Sequence, residues 1–170
     1  GMYSTPDEAV DLARTAFRLD TANKWYHQFL GQALIYARRY DEALAVYRRL
    51  RSDEPQNPDN YRILADLYGI LGKDSLAKAE YDRALQIDST DVGTLMSLAD
   101  FYNGRHDYRA VLDVTQRLFE SDKMPLDTKI KRFGIFTSDM RFYREYYPQL
   151  NTLASTLAVR YPQDRRVVEL

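Results

Sequence analysis

Residues 57–88, NPDNYRILADLYGILGKDSLAKAEYDRALQID, decide how this chain folds, because their pattern recurs 34 residues earlier and, more loosely, 34 residues later. The stretch runs Tyr61, Leu64-Ala65, Tyr68, Leu71-Gly72, Ala77, Tyr81 and Ala84-Leu85. One period upstream stand His27, Leu30-Gly31, Leu34, Ala37-Arg38, Ala43, Tyr47 and Leu50-Arg51. One period downstream stand Leu95, Leu98-Ala99, Tyr102, Arg105-His106, Val111, Thr115 and Leu118-Phe119. A fixed period of this length signals a repeat architecture. Within the unit, Tyr61, Leu64, Leu67, Tyr68 and Leu71 fall at spacings of three and four, which puts them on one face of a helix. A second amphipathic run, Leu76 to Ile87, follows Gly72-Lys73-Asp74, a break short enough to make the two helices antiparallel neighbours. Small residues recur where the pair should cross (Gly31 and Ala43, Ala65 and Ala77, Ala99), and close helix approach requires small side chains. Each unit is therefore a helical hairpin that buries its apolar face by stacking on its neighbours.

The spacing resembles the tetratricopeptide repeat (TPR) family, whose pattern is Trp-x-x-Leu-Gly-x-x-Tyr, Ala-x-x-x-Phe, then Pro at a period of 34. The first unit offers His27, Leu30-Gly31, Leu34, Ala43, Tyr47 and Pro55. The second offers Tyr61, Leu64-Ala65, Tyr68, Ala77 and Tyr81, with Ser89 where Pro is expected. The third keeps Leu95, Leu98-Ala99 and Tyr102 but has Val111 and Thr115 in its second helix. The resemblance implies an all-α fold, a right-handed superhelical solenoid of antiparallel helical hairpins.

Along the chain, Thr5-Pro6-Asp7-Glu8 reads as a capped helix start. The helix it opens has Ala9 one period before Ala43, so 6–22 reads as the second helix of an incomplete repeat. Repeats then occupy 24–57, 58–91 and 92–125, with N-caps expected at Asn23 and Asn57. After Pro125 the period falters. Ile130, Phe133-Gly134 and Thr137 align with a fourth unit if one residue is skipped. Tyr147, Leu150, Ala154, Leu157 and Pro162 align if about four more are skipped. The fourth unit is thus 126–163, divergent, with an aromatic-rich insertion at 139–147, and 164–170 reads as the start of a further helix. The whole of 1–170 reads as one domain, and both ends read as unfinished, a segment of a longer array. Gly1 reads as a residue left by tag removal. The compartment is cytoplasmic if Met2 is the native start and periplasmic or secreted if a signal peptide has been removed.

Composition excludes several classes of function. The 24 basic and 25 acidic residues nearly cancel, which argues against the basic footprint of a nucleic-acid binder. The absence of Cys removes disulfides and thiolate metal sites. No apolar run approaches the roughly 20 residues a bilayer span needs. Of two histidines, His27 falls at a packing position and His106 in a turn two repeats away. Asp100, Asp107 and Asp113 scatter around two helices and read as a solvated acidic face. No phosphate loop, HExxH or GxSxG occurs. No enzyme, metal or cofactor is expected. Phe142-Tyr143-Arg144-Glu145-Tyr146-Tyr147 reads as packing across the inserted turn, with a partner-binding patch as the alternative.

The resemblance implies that first helices line a concave surface and that residues beside the packing positions face a ligand. Carried over by register, these are Trp25, Gln28, Gln32, Ile35 and Tyr36 in the first unit. The second contributes Asp59, Arg62 and Asp66, and the third Met96, Asp100 and Asn103. Gln28 and Gln32 stand where relatives that grip chaperone tails carry Lys and Asn, which argues against that role. The expected function is a protein-interaction scaffold that takes a partner protein or peptide in the groove, without nucleic acid and without a membrane span. Two rival readings stand beside it. One is an assembly module that forms homo-oligomers through repeat ends, with Val10, Ala13 and Phe17 left uncovered. The other is a regulatory segment of an enzyme outside this chain.

Overall fold

The computed structural model describes residues 5–170, and among them the chain forms eleven helices and no strand. The readings of Gly1 and Met2 lie outside these residues. The fold is all-helical, a run of hairpins in repeat arrangement. It gathers into two compact units, the first ending at Ser89 and the second spanning Thr90–Leu170.

The first unit holds α1 (Pro6–Leu19), α2 (Lys24–Tyr36), α3 (Tyr40–Asp53), α4 (Pro58–Ile70) and α5 (Asp74–Ile87), each packed on the next. The ends of these helices show why the sequence breaks where it does. The Thr5 hydroxyl accepts from the Glu8 N–H at 3.2 Å, and the Asn23 and Asn57 side chains accept from the N–H groups of Trp25 and Asp59 at 2.9 and 3.0 Å. Each such cap satisfies a helix donor that has no partner within the helix. The turns inside the hairpins close with one left-handed residue, Arg38 at φ 59° and Gly72 at φ 73°. The following N–H reaches back across the turn, Arg39 to the Leu34 carbonyl and Lys73 to the Tyr68 carbonyl, both at 2.8 Å. That bond satisfies a carbonyl at the helix C-terminus and reverses the chain in a few residues.

The hairpin crossings are close. At Gly31 a Cβ would lie 2.7 Å from Cε2 and 2.9 Å from Cζ of Tyr47, whose side chain is fully buried. Gly31 thus allows α2 and α3 to pack around a tyrosine ring. His27 is buried as a packing residue. Its ring stands edge-on to Phe17 with centroids 4.7 Å apart, and its Nε2 lies 2.7 Å from the Thr21 carbonyl. One period on, the Tyr61 hydroxyl donates to the Pro55 carbonyl at 2.9 Å, so a ring at this position ties down the preceding inter-hairpin loop in both repeats.

One expectation is corrected here. Val10 and Ala13 are not uncovered: both are fully buried, and Phe17 is half-buried. The second helix of one repeat packs on the first helix of the next, so α1 spends this face on α2. The exposed apolar residues of α1 are Leu12 and Leu19. Val10 and Ala13 therefore leave no open face on which another copy could pair.

The second unit holds α6 (Val92–Gly104), α7 (Tyr108–Glu120), α8 (Leu126–Ser138), α9 (Met140–Glu145), α10 (Tyr147–Arg160) and α11 (Arg165–Val168). α6 packs on α7, and α10 packs on α7, α8, α9 and α11. The Asp91 carboxylate caps α6 by accepting from the Thr94 N–H at 3.1 Å, and His106 takes the left-handed turn position at φ 58°.

First helices begin at Lys24, Pro58, Val92 and Leu126, a constant interval, so no residue is skipped before α8. The alignment through Ile130 is corrected accordingly: Lys129 stands in the place of Leu95, and Phe133 in that of Ala99. A lysine at a core position carries no apolar signal, which is why the pattern faltered there. Lys129 is fully buried, and its Nζ donates to the carbonyls of Phe119 and Ser121 at 2.9 and 2.7 Å and to the Tyr161 hydroxyl at 2.9 Å. All three ammonium donors are used, and the cation sits at the C-terminal end of α7, where the helix dipole favours it.

The extra residues form α9 instead. Phe142 stacks on Phe136 (centroids 5.6 Å apart, interplanar angle 18°) and meets Tyr146 at 4.7 Å and Tyr108 at 5.6 Å. The aromatic run therefore packs across the inserted turn. Phe133, not Gly134, holds the crossing position; Gly134 is exposed, and nothing lies within 4 Å of a Cβ placed there.

Candidate protein-interaction surface

A helix that packs on both neighbours buries one stripe and leaves another to solvent. On α2 the open stripe is Trp25, Gln28, Gln32 and Tyr36, at spacings of three, four and four, while Leu30, Ala33 and Leu34 are buried. Trp25 is 68% exposed and Tyr36 61%, unusual for large aromatic side chains. Gln28 and Ile35 are half-buried. The corresponding stripe on α4 is Asp59, Arg62 and Asp66, with Asp59 exposed and the other two half-buried. Met96, Asp100 and Asn103 lie on α6 in the second unit, Met96 half-buried and the other two exposed.

Beneath the first unit's stripe runs a polar row. Gln32 Nε2 donates to the Tyr47 hydroxyl at 3.0 Å, and the Tyr81 hydroxyl donates to Asp66, one period later. Arg62 pairs with Asp59 at 3.7 Å and Asp66 at 3.8 Å, and its Nε is buried with no partner in the protein. Burial pushes the Tyr47 phenol up to about 12, against the opposing pull of the Gln32 hydrogen bond and the Arg62 charge. The Arg62 charge on α4 thus acts on the Tyr47 hydroxyl that Gln32 of α2 holds.

Chemically, this face presents two exposed aromatic side chains, a half-buried guanidinium, and one carboxylate in excess. The two tyrosine hydroxyls were not read as part of the site from the sequence. The signal was there: Gln32 and Tyr47, like Asp66 and Tyr81, stand 15 residues apart. Among the described residues no helix is long and apolar enough to cross a membrane.

Residues 4–67 match the family model described as tetratricopeptide repeat. With the period and the hairpins, this match supports tetratricopeptide repeats in the chain, and such repeats support a protein-interaction scaffold in general terms. Three curated relatives from Escherichia coli, of strains K12, O6:H1 and O157:H7, carry the name lipopolysaccharide assembly protein B. Each is 28% identical to this chain over 134 residues, covering 75% of it. The chain spans about a third (34%) of the length of these relatives.

Proposed function

We propose that the α2 and α4 stripes of the first unit bind a segment of a partner protein, and that the chain acts by holding that partner rather than by chemistry of its own. The observation that carries this reading is the exposure of Trp25 and Tyr36 on one stripe of a helix otherwise packed on both sides. Aromatic side chains are the commonest anchors of protein interfaces, because they bury much area at little cost in rotamer freedom. The polar row beneath, Gln32, Tyr47, Arg62, Asp66 and Tyr81, holds the rim in place before the partner arrives, so little conformational entropy is lost on docking. Met96, Asp100 and Asn103 are proposed as a further contact on the second unit. The excess of carboxylate favours a partner segment that brings N–H donors or a basic side chain. The likeness to lipopolysaccharide assembly protein B supports a partner that takes part in assembly.

Affinity capture with the full-length protein tests the reading. Wild type and Val159→Ala, a change at an exposed apolar residue of the second unit, should recover the same partner. The double change Trp25→Ala, Tyr36→Ala should lose it. Trp25 is the single tryptophan, so its emission should shift to the blue when the recovered partner is added to wild type. Equal recovery by the double variant, or an unmoved emission, overturns the proposal.

A further inference from the structure

The first unit carries the same cleft twice, one period apart, at the edge where an inter-hairpin loop meets the second helices, and the two copies differ in charge. The first, about 490 Å³, is lined in part by Lys24, Arg49, Asp53 and Glu54. Its charges balance, with Arg49 paired to Asp53 at 3.1 Å and Lys24 to Glu54 at 3.8 Å. The second, about 500 Å³, is lined by Arg51, Arg83, Gln56, Gln86, Tyr61 and Ile87 among others, and no carboxylate lines it. Ile87 stands where Asp53 stood, and Arg51 takes the place of Phe17. Among the described residues, the carboxylate that meets the two arginines is Glu80, with a side chain only 7% exposed. A single oxygen of it accepts from both, Arg51 at 2.6 Å and Arg83 at 3.2 Å, while its other oxygen is buried and bonded to neither.

We propose that this second cleft is a docking site for an acidic peptide segment of a partner protein, with a carboxylate of the segment bound across Arg51 and Arg83. Two guanidiniums share one carboxylate, leaving a net positive charge and most of their ten N–H donors turned elsewhere. The planar fork of arginine matches a carboxylate in geometry as well as charge. Tyr61 and Ile87 add apolar surface to the lining for the carbon chain of the segment, and Gln56 and Gln86 add amide groups that can meet peptide amides. This site is separate from the Trp25 and Tyr36 stripe, and neither depends on the other.

The test is a titration followed by nuclear magnetic resonance of the intact chain with an acetylated and amidated hexaglutamate peptide. Hexaglutamine and inorganic phosphate serve as the other two ligands. Hexaglutamate should move the Nε–H signals of Arg51 and Arg83 and the amides of Gln56 and Tyr61, more weakly as salt is raised. Arg83→Gln leaves the Arg51 and Glu80 pair in place and should weaken binding about threefold to tenfold, as expected for one partly exposed charge contact. Arg49→Gln, in the charge-balanced copy, should leave it unchanged. Equal weakening by both variants, equal shifts with hexaglutamine, or the same shifts with phosphate alone at equal concentration would each refute the site as described.

Discussion

Gly31→Ala should destabilise the protein even though alanine is the better helix former. In the interior of a helix, alanine is favoured over glycine by about 1 kcal/mol. Against this, the new methyl would sit 2.7 and 2.9 Å from two carbons of the Tyr47 ring and 3.2 Å from its oxygen. The ring has no room to retreat: it is fully buried, and its hydroxyl is held by Gln32. Forcing a methyl into such a contact costs about 1–3 kcal/mol. The net is a loss of about 1 kcal/mol, or roughly 2–4 °C in melting temperature for a chain of this size. The partner substitution Gly134→Ala meets nothing within 4 Å and should keep the propensity gain, raising stability by up to about 1 kcal/mol. Urea unfolding followed by circular dichroism measures both. Tyr47→Leu removes the offending ring atoms, and in that background Gly31→Ala should turn neutral or stabilising. If Gly31→Ala stabilises wild type as much as Gly134→Ala does, the close crossing of α2 and α3 is wrong.

Three further outcomes follow from the same structure. Lys129→Met removes a charged donor from two carbonyls and a hydroxyl, at about 1.5–3 kcal/mol each, and is partly offset by no longer burying an ammonium; a net loss of about 2 kcal/mol is expected by urea unfolding, and a Met variant as stable as wild type would contradict it. Arg38→Gly relieves a left-handed residue, worth about 1–2 kcal/mol, against the extra chain entropy of glycine. The expected gain is about 0.5 kcal/mol, whereas Gly72→Ala should cost about 1 kcal/mol at the equivalent turn, and thermal melts of the pair check the opposite signs. The Tyr47 phenol, raised by burial to about 12, predicts an alkaline loss. Above about pH 10 the unfolded chain gives up this proton while the folded chain keeps it, so stability falls with rising pH until the folded group also ionises near 12. Tyr47→Phe should flatten that part of an alkaline denaturation profile.

Much of the fold was legible because repetition makes a weak pattern strong. Asn23, Asn57 and Asp91 cap first helices at one fixed interval, and Arg38, Gly72 and His106 take the left-handed turn at the same interval. Glycine at 72 announces such a turn, while arginine and histidine do so only through the period. The fourth repeat was harder to read, because Lys129 occupies a core position with a side chain whose burial depends on three oxygens that only the folded chain brings together. Of the proposed interaction surface, Trp25, Gln28, Gln32 and Tyr36 could be placed on one stripe by helical spacing alone. The roles of Tyr47 and Tyr81 could not, since an aromatic at a packing position gives no sign that its hydroxyl will reach a polar residue on the neighbouring helix.

The order of apolar, small and capping residues by itself determined that this chain makes helical hairpins at a fixed period, because local geometry repeats wherever those residues repeat. The tertiary structure alone decided which charges stay open. Glu80 is one glutamate among many along the chain, yet it is the one withdrawn beneath Arg51 and Arg83. Val10 and Ala13 close against α2, while Trp25 and Tyr36 remain in water. Burial and pairing are properties of several segments at once, so they are set only when helices distant in sequence meet.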